Sequence, residues 1–141
     1  MALPFPSAAW ASAYKDAINQ NALYRQAAAA WDQGPVALVC KPEPALGLSE
    51  PQAVVLELLH GQCQAVAYTS DELDIDDAAF VIEASYAQWK AIITRELDPI
   101  LAMLSSQLRL KKGHLPTLIK DVEGSKQLVL SASQVETEFL G

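Results

Sequence analysis

The stretch Ala79-Phe80-Val81-Ile82-Glu83-Ala84-Ser85-Tyr86-Ala87-Gln88-Trp89 passes from a strand pattern into a helix pattern without an intervening loop. Its first six residues form an apolar, partly β-branched run that favours a strand. Ser85 then supplies a side-chain oxygen for the first turn of a helix. Tyr86, Trp89 and Ile93 recur at the three- and four-residue spacings of an amphipathic helix. The sequence therefore predicts a strand that leads directly into a helix.

The residues before this stretch carry alternating helix and strand patterns. Helical stripes occupy residues 8–18 and 23–31, and Asn19-Gln20-Asn21 interrupts them. Short apolar runs then predict strands at residues 36–40, 54–59 and 63–68. Because His60-Gly61 suits a tight reversal, we expect the last two runs to form a β-hairpin. The proline-containing residues 41–51 are expected to form a loop.

The residues after this stretch continue the mixture of helix and strand. Asp98-Pro99 places a capping carboxylate and a first-turn proline at the start of a short helix. Leu108-Arg109-Leu110-Lys111 alternates apolar and basic residues, which predicts a half-buried strand at a sheet edge, ending near Gly113. Helical spacings resume over residues 115–122 and, beyond Gly124-Ser125, continue to Phe139. The pattern indicates an α+β fold whose C-terminal third is mainly helical.

Composition and charge restrict the classes of function. A chain of 141 residues suits one domain over residues 1–141, and 51% hydrophobic residues suit a packed core. The net charge of −7 opposes binding to nucleic acid and static electrostatic docking on anionic membranes, so only transient membrane contact is expected. Because the sequence shows neither a signal-peptide pattern nor an 18-residue apolar run, we expect a cytoplasmic protein.

The sequence contains no recognisable pattern of catalytic or metal-ligating residues. Acidic residues 71–77 lack the sixth-position glycine and distant glutamate of a calcium loop, so we expect a solvated connection there. Cys40 and Cys63 form neither a CxxC motif nor a Cys/His cluster and are expected to be buried free thiols. His60 and His114 lie outside Gly-x-Ser-x-Gly and His-Glu-x-x-His motifs. We therefore expect no catalytic residue, no metal ligand, no cofactor and no enzymatic activity.

The order of these elements resembles the sterol carrier protein type 2 family of lipid-transfer domains. The residues that carry the likeness are Phe80-Val81-Ile82, Ser85-Tyr86 with Trp89, Asp98-Pro99, and Leu104-Ser105 through Leu108-Arg109-Leu110-Lys111 to Gly113. The chain departs from the family at Ser105-Ser106-Gln107, where Ser-Gly-Lys is common, and it has an additional Lys112. The C-terminal Glu138-Phe139-Leu140-Gly141 lacks the peroxisomal tripeptide of eukaryotic relatives, so we expect a bacterial stand-alone type.

The resemblance implies a curved, five-stranded, mostly antiparallel sheet covered by helices, with a hydrophobic tunnel. The tunnel would bind fatty acid, acyl-CoA, phospholipid or sterol-like molecules without catalysis, and the protein would transfer them. Position on the apolar faces of the predicted elements, together with the family likeness, predicts the residues that line the tunnel. They are Trp89, Ile93, Leu97, Ile100, Leu101, Leu104, Leu108, Leu110, Leu115, Leu118 and Ile119.

The basic residues Arg109, Lys111 and Lys112 have two interpretations. They lie close enough in sequence to meet a ligand carboxylate or phosphate. The interpretation that we prefer is a solvated sheet edge, because lysines on an edge strand discourage unwanted strand pairing.

Two other functions remain open. An apolar groove also suits a protein interaction module or a self-associating accessory subunit, and a homodimer is compatible with the sequence. A cavity also suits a small hydrolase or isomerase, because catalytic groups need to be close only in space. A cavity for an elongated ligand would favour lipid binding, an exposed apolar patch over a filled core would favour the module, and a histidine–carboxylate pair inside the cavity would favour the enzyme.

Overall fold

The computed structural model describes residues 2–140. Its helices are α1 (Ala8–Gln20), α2 (Ala22–Ala27), α3 (Glu72–Asp76), α4 (Tyr86–Ile93), α5 (Pro99–Leu104), α6 (Leu115–Lys120) and α7 (Val122–Leu130), with 3₁₀ helices at Pro44–Leu46 and Ser131–Gln134. Its strands are β1 (Leu3–Pro4), β2 (Val36–Cys40), β3 (Gln52–Leu59), β4 (Gln62–Thr69), β5 (Phe80–Ala84), β6 (Arg109–Lys112) and β7 (Thr137–Glu138). None of the helices between residues 2 and 140 has the length and apolar character needed to cross a membrane.

The main sheet has five strands in the order β4-β3-β2-β5-β6. Strands β2 and β5 run parallel, with Leu38 opposite Ile82, and the other three strand pairs are antiparallel. Strand β6 lies at one edge, as its alternating leucines and basic residues predict. The predicted α+β class and the predicted five-stranded, mostly antiparallel sheet with covering helices are therefore confirmed.

The two faces of the main sheet pack against different layers. On the inner face, side chains such as Val36 and Ile82 join the main core with the helices on that side. On the outer face, Val39 and Val81 pack with Ile75 of α3 in a second, smaller apolar cluster. Because successive side chains of a strand point to opposite faces, each central strand contributes to both clusters.

Within the acidic residues 71–77, for which the sequence predicted a solvated connection, Glu72–Asp76 form helix α3. The Asp71 side chain accepts a hydrogen bond from the backbone N–H of Leu73 at 2.9 Å, which caps the helix. Ile75 is buried against the outer face of the sheet, while the surrounding acidic side chains are exposed. One buried isoleucine is therefore enough to fold a short, otherwise solvated helix onto the sheet.

The junction between β5 and α4 is built by a capping box. The Ser85 hydroxyl accepts from the backbone N–H of Gln88 at 3.2 Å, and the Gln88 side chain accepts from the backbone N–H of Ser85 at 2.9 Å. Trp89 then donates its indole N–H to the carbonyl of Val39 at 2.9 Å inside the protein. These bonds hold α4 against the inner face of β2.

The C-terminal segment differs from its helical prediction. Helix α7 begins at Val122 and contains Gly124, which the sequence predicted as a break. After the second 3₁₀ helix, β7 pairs in parallel with β1, and the backbone N–H of Leu3 donates to the carbonyl of Glu136 at 2.9 Å. The Phe139 ring lies 6.3 Å from that of Phe5, centroid to centroid. Residues 128–134 are therefore helical as predicted, and pairing with the N-terminal segment takes precedence over the helical spacing only in residues 135–139.

Gly113 ends β6 in a conformation that requires glycine. Its φ angle is 115°, outside the range that L-residues adopt readily. A Cβ atom at this position would lie 2.3 Å from Cδ2 of the Phe80 ring. The glycine thus lets the backbone after β6 lie directly on a side chain of β5.

Candidate functional site

The inner face of the sheet and the helices that cover it leave two partly open, almost wholly apolar spaces. We call the first the α7 cavity; it has a volume of about 40 Å³ and lies among β2, β5, α5, α6 and α7. Its wall includes an aliphatic set from strands and helices alike: Val36, Leu38, Leu58, Ile82, Ile100, Met103, Leu108, Leu118, Leu128 and Val129.

We call the second space the α4 cavity; its volume is about 20 Å³. It lies between the same sheet face and helices α1 and α4, and it is lined mainly by aromatic and aliphatic side chains: Phe5, Pro6, Trp10, Tyr14, Leu38, Cys40, Gln52, Val54, Trp89, Ile92, Ile93, Val129 and Ala132. The Tyr14 hydroxyl donates to the carbonyl of Leu128 at 2.7 Å, so the buried phenol on this wall is satisfied within the protein.

Leu38 and Val129 form the partition between the two cavities, because both side chains border both spaces. Leu38 lies on the inner face of the central strand β2, and Val129 lies on α7 above it. The structure does not show the predicted tunnel. It shows two cavities end to end, separated by one side chain from the sheet and one from a helix.

The residues nominated from the sequence fall into three groups. Ile100, Leu108 and Leu118 line the α7 cavity, and Trp89 and Ile93 line the α4 cavity. Leu97 and Leu110 are partly buried against the main core but border neither space. The remaining four side chains are exposed and border neither space: Leu101, Leu104, Leu115 and Ile119.

Sequence reasoning missed the strand residues and the α7 residues that line the cavities. Val36, Leu38 and Ile82 lie on one face of two neighbouring strands, and Leu128 and Val129 lie on α7 opposite them. A signal was present, since alternate positions of the two apolar strand runs must share one face. The sequence did not show which face the helices would cover.

The basic residues of β6 lie away from both cavities. Lys111 forms an ion pair with Glu83 at 3.4 Å, and the Lys112 ammonium group donates to the backbone carbonyl of Asp76. Arg109 is exposed and borders neither space. This arrangement agrees with the solvated sheet edge that we preferred over a headgroup site.

Few polar side chains line the α7 cavity. Asp121, Tyr24 and Ser125 are the side chains there that carry an oxygen atom. Burial raises the pKa of the Asp121 carboxyl group above its usual value. Burial, together with the negative charge of Asp121, raises the pKa of the Tyr24 phenol, so this group stays protonated at neutral pH.

The cysteines and histidines do not line the α7 cavity. Cys40 and Cys63 are buried free thiols, as expected. Burial raises the pKa of Cys40 to about 12 and that of Cys63 to about 11. His60 and His114 are exposed. Among residues 2–140, no three His, Cys, Asp or Glu side chains are grouped so that they could hold a metal ion.

Solved structures that are similar to this chain bear on its family. A crystal structure of sterol carrier protein 2 matches with a TM-score of 0.85 and 36% identity, covering 92% of this chain and 97% of that chain. The solution structure of a conserved hypothetical protein from Thermus thermophilus, described as possibly a sterol carrier protein, matches with a TM-score of 0.83 and 36% identity. That match covers 94% of this chain and 90% of that chain.

More distant similarity shows the fold alone. Sterol carrier protein 2 from Yarrowia lipolytica, in its apo form, matches with a TM-score of 0.56 and 10% identity, covering 94% of this chain and 96% of that chain. No protein-family model and no curated protein matches the chain. Because the first two structures are 36% identical to it over at least 90% of their own length, the chain belongs to the sterol carrier protein 2 family.

Proposed function

We propose that this protein binds a hydrophobic, lipid-type ligand between its sheet and its helices, and that it carries the ligand through the cytoplasm without catalysing a reaction on it. The observation that carries the proposal is the pair of apolar cavities lying end to end on the inner face of the sheet. Membership of a family that includes a sterol carrier protein supports lipid binding in general. The apolar lining of the two cavities supports this location for the ligand in this chain.

Ligand binding requires the helical layer to move away from the sheet. Cavities of about 40 and 20 Å³ are far smaller than the roughly 300–1,000 Å³ of typical small-molecule sites. Helices α5 and α6 have six residues each and contribute Ile100, Met103 and Leu118 to the cavity wall. Outward movement of these short helices would enlarge the α7 cavity. Displacement of Leu38 and Val129 would then join the two cavities into the tunnel that the family likeness implies.

The apolar surface alone would give useful affinity. Burying a sixteen-carbon chain at about 0.8 kcal/mol per methylene supplies on the order of 12 kcal/mol, against an association cost of about 4–15 kcal/mol. The alkyl chain would therefore supply most of the affinity, and the oxygen-bearing side chains of the α7 cavity, Asp121, Tyr24 and Ser125, would affect which ligands bind. We propose that residues 1–141 act as one such carrier domain.

Two adjacent residues of α5 test the proposal. Met103 lines the α7 cavity, whereas Leu104 is 73% exposed and borders neither space. Met103→Gln should weaken binding of a fluorescent fatty acid about tenfold, because the amide would be desolvated against an alkyl chain at a cost of roughly 1–3 kcal/mol. Leu104→Gln, which places the same amide in solvent, should leave the affinity unchanged.

Circular dichroism melting of both variants controls for folding, and native mass spectrometry after solvent extraction identifies any ligand that co-purifies. If neither the parent protein nor the variants bind alkyl probes, lipid binding between the sheet and the helices is wrong. If both substitutions weaken binding equally, the ligand lies on the outer surface of α5 and not in the cavity.

A further inference from the structure

Strand β4 forms one edge of the main sheet and pairs with β3 on one side only. At its hairpin end the other side is covered by α1. There the Asn19 side chain accepts from the backbone N–H of Cys63 at 2.8 Å and donates to the carbonyl of Cys63 at 2.9 Å. These two bonds satisfy the edge-facing backbone groups of Cys63, so pairing with another strand is blocked at that end of β4.

Beyond the register shift at Gln64, the outer side of β4 is open. Residues 65–69 pair in unbroken register with β3, and within residues 2–140 their backbone groups make no backbone hydrogen bond outside that pairing. One thiol contact reaches them, from Cys63 to the carbonyl of Ala65 at 3.3 Å. We call residues 65–69 the open β4 edge, because their remaining outward-facing N–H and C=O groups are available to another strand.

The open β4 edge lacks the residues that protect sheet edges from unwanted pairing. None of the eight residues of β4 is charged, and none is proline. The opposite edge strand, β6, has four residues, of which Arg109, Lys111 and Lys112 are basic. Lysines and prolines on an edge strand oppose strand addition. The same sheet therefore has one protected edge and one that suits a further strand.

A second copy of this chain fits the open β4 edge. Two identical strands that run antiparallel about a twofold axis offer each other the same backbone donors and acceptors, and such an interface closes at two subunits. Because the chain has a net charge of −7, contact between two copies is least opposed where the contacting strand is uncharged. An extended segment of another protein would meet the same backbone groups, but no charged side chain of the open β4 edge would select it.

The side chains of the open β4 edge are compatible with close approach of a second strand. Ala65 and Ala67 line the outer face of the sheet and add little bulk. Val66 and Tyr68 pack on the main core from the other face and are only partly buried. A neighbouring strand would cover them further, and this burial of apolar surface would add to the backbone hydrogen bonds.

We propose that two copies of this chain associate by antiparallel pairing of their open β4 edges, which joins their two five-stranded sheets into one continuous sheet. No residue of β4 borders the α7 cavity or the α4 cavity. Pairing therefore leaves both cavities unchanged, and the inference is independent of the proposed function.

Analytical ultracentrifugation of the full chain tests the association. As the concentration is raised up to about 1 mM, the measured mass should increase from 15.2 kDa towards twice that value. A mass that stays at 15.2 kDa throughout would overturn the proposal and leave the open β4 edge to an extended segment of another protein.

Backbone hydrogen exchange locates the interface without any substitution. The amide groups of residues 65–69 that point away from β3 should exchange more slowly as the protein concentration rises, because pairing protects them. The amide groups of β6 should show no such dependence, since that edge stays exposed. A dimer that forms without protection of residues 65–69 would place the interface elsewhere and overturn the proposal.

Two alanine-to-lysine substitutions at exposed positions separate a local effect from a general one. Ala67→Lys places like charges on the two facing strands and should raise the dissociation constant of the dimer about tenfold. Ala87→Lys makes the same change on the surface of α4 and should leave the constant unchanged. Neither position borders a cavity, so circular dichroism melting and binding of a fluorescent fatty acid should match the parent protein. Equal dissociation constants in the two variants would exclude β4 as the interface.

Discussion

Ser106 occupies a backbone conformation that usually belongs to glycine. Its φ angle is 64°, in the left-handed region, which costs an L-residue with a side chain roughly 1–2 kcal/mol. The backbone N–H groups of Gln107 and Leu108 both donate to the carbonyl of Ala102, at 2.8 and 3.0 Å, and these bonds end α5. Serine therefore adopts a left-handed conformation here at the position where the resemblance implies a glycine.

Ser106→Gly should stabilise the protein. The gain from relieving the left-handed serine exceeds the extra chain entropy of glycine, which costs roughly 0.5–1 kcal/mol, so we expect a net increase of about 0.5–1 kcal/mol in the free energy of unfolding. Thermal or urea denaturation measures it. Ser105→Gly is the matched control: the φ angle of Ser105 is −93°, so glycine there should lower stability. A loss of stability with Ser106→Gly would mean that the serine side chain itself stabilises this turn.

The two thiols report on which space the ligand fills. Cys40 borders the α4 cavity and Cys63 borders neither cavity, although both are buried. Because burial raises their pKa values to about 12 and about 11, little thiolate is present near neutral pH, and labelling by a disulfide reagent should be slow and should accelerate as the pH rises. A saturating lipid should slow labelling of Cys40 more than that of Cys63, measured in Cys63→Ala and Cys40→Ala single-thiol variants. Equal slowing would indicate that the ligand does not reach the α4 cavity.

The site residues show why spacing identified some lining positions and not others. On α4, the polar Gln88 and Lys90 flank Trp89, and the buried residues Tyr86, Trp89 and Ile93 recur at helical spacing, so the spacing indicates the buried face correctly. Helix α5 reads Pro-Ile-Leu-Ala-Met-Leu, and every side chain in it is apolar. No period in such a segment can distinguish the cavity-facing Ile100 and Met103 from the exposed Leu101 and Leu104.

At the level of elements, sequence signals within a few residues predicted helices, strands and turns correctly, whereas the pairing of strands that are distant in sequence was not predicted. The strand-to-helix passage at Ser85, the hairpin at His60-Gly61 and the helix start at Asp98 all depend on residues within four positions of each other. Strands β1 and β7 have two residues each, too few to show a period, and they pair across nearly the whole chain. Sequence spacing therefore predicted a helix where contacts with the N-terminal segment produce a strand.

The exposed side chains of α5 and α6 are relevant to how the protein would contact a membrane when it delivers its ligand. Leu101 and Leu104 are 64% and 73% exposed on a helix whose other face lines the α7 cavity. Residues 99–120 also contain four basic residues and no acidic one, in a chain whose net charge is −7. We propose that these features suit brief contact with an anionic membrane beside the α7 cavity.

Replacing these two leucines should slow transfer without changing affinity. The double substitution Leu101→Ser and Leu104→Ser should reduce the rate of lipid transfer between anionic vesicles roughly tenfold, since burying even one leucine supplies about 1.5–3 kcal/mol. Leu73→Ser is the control, because Leu73 is 78% exposed on the acidic α3 at the opposite face of the sheet. Equal transfer rates in all three proteins would exclude α5 as the contact surface.

At the scale of the whole molecule, the sheet is packed on both faces, whereas part of the helical layer that covers its inner face is exposed. The central strands are held on both faces, by the main core on one side and by the α3 cluster on the other. Two of the helices that close the α7 cavity, α5 and α6, have just six residues each and expose Leu101, Leu104, Leu115 and Ile119 to solvent. Under the proposed function, a ligand would displace these short helices while the sheet keeps its register, and the length of chain accommodated would depend on Leu38 and Val129, which border both cavities.

Affinity should rise with alkyl chain length by up to about 0.8 kcal/mol per methylene, and should level off once the joined cavities are full. Val129→Ala removes two methyl groups from the partition, so the plateau should move to a longer chain, with a loss of roughly 2 kcal/mol in the free energy of unfolding. Val135→Ala is the matched control, because Val135 is also buried but borders neither cavity. It should cost comparable stability and leave the plateau where it is. A competition series of alcohols of increasing length measures both effects, and identical plateaus in the parent protein and Val129→Ala would show that the ligand does not pass between Leu38 and Val129.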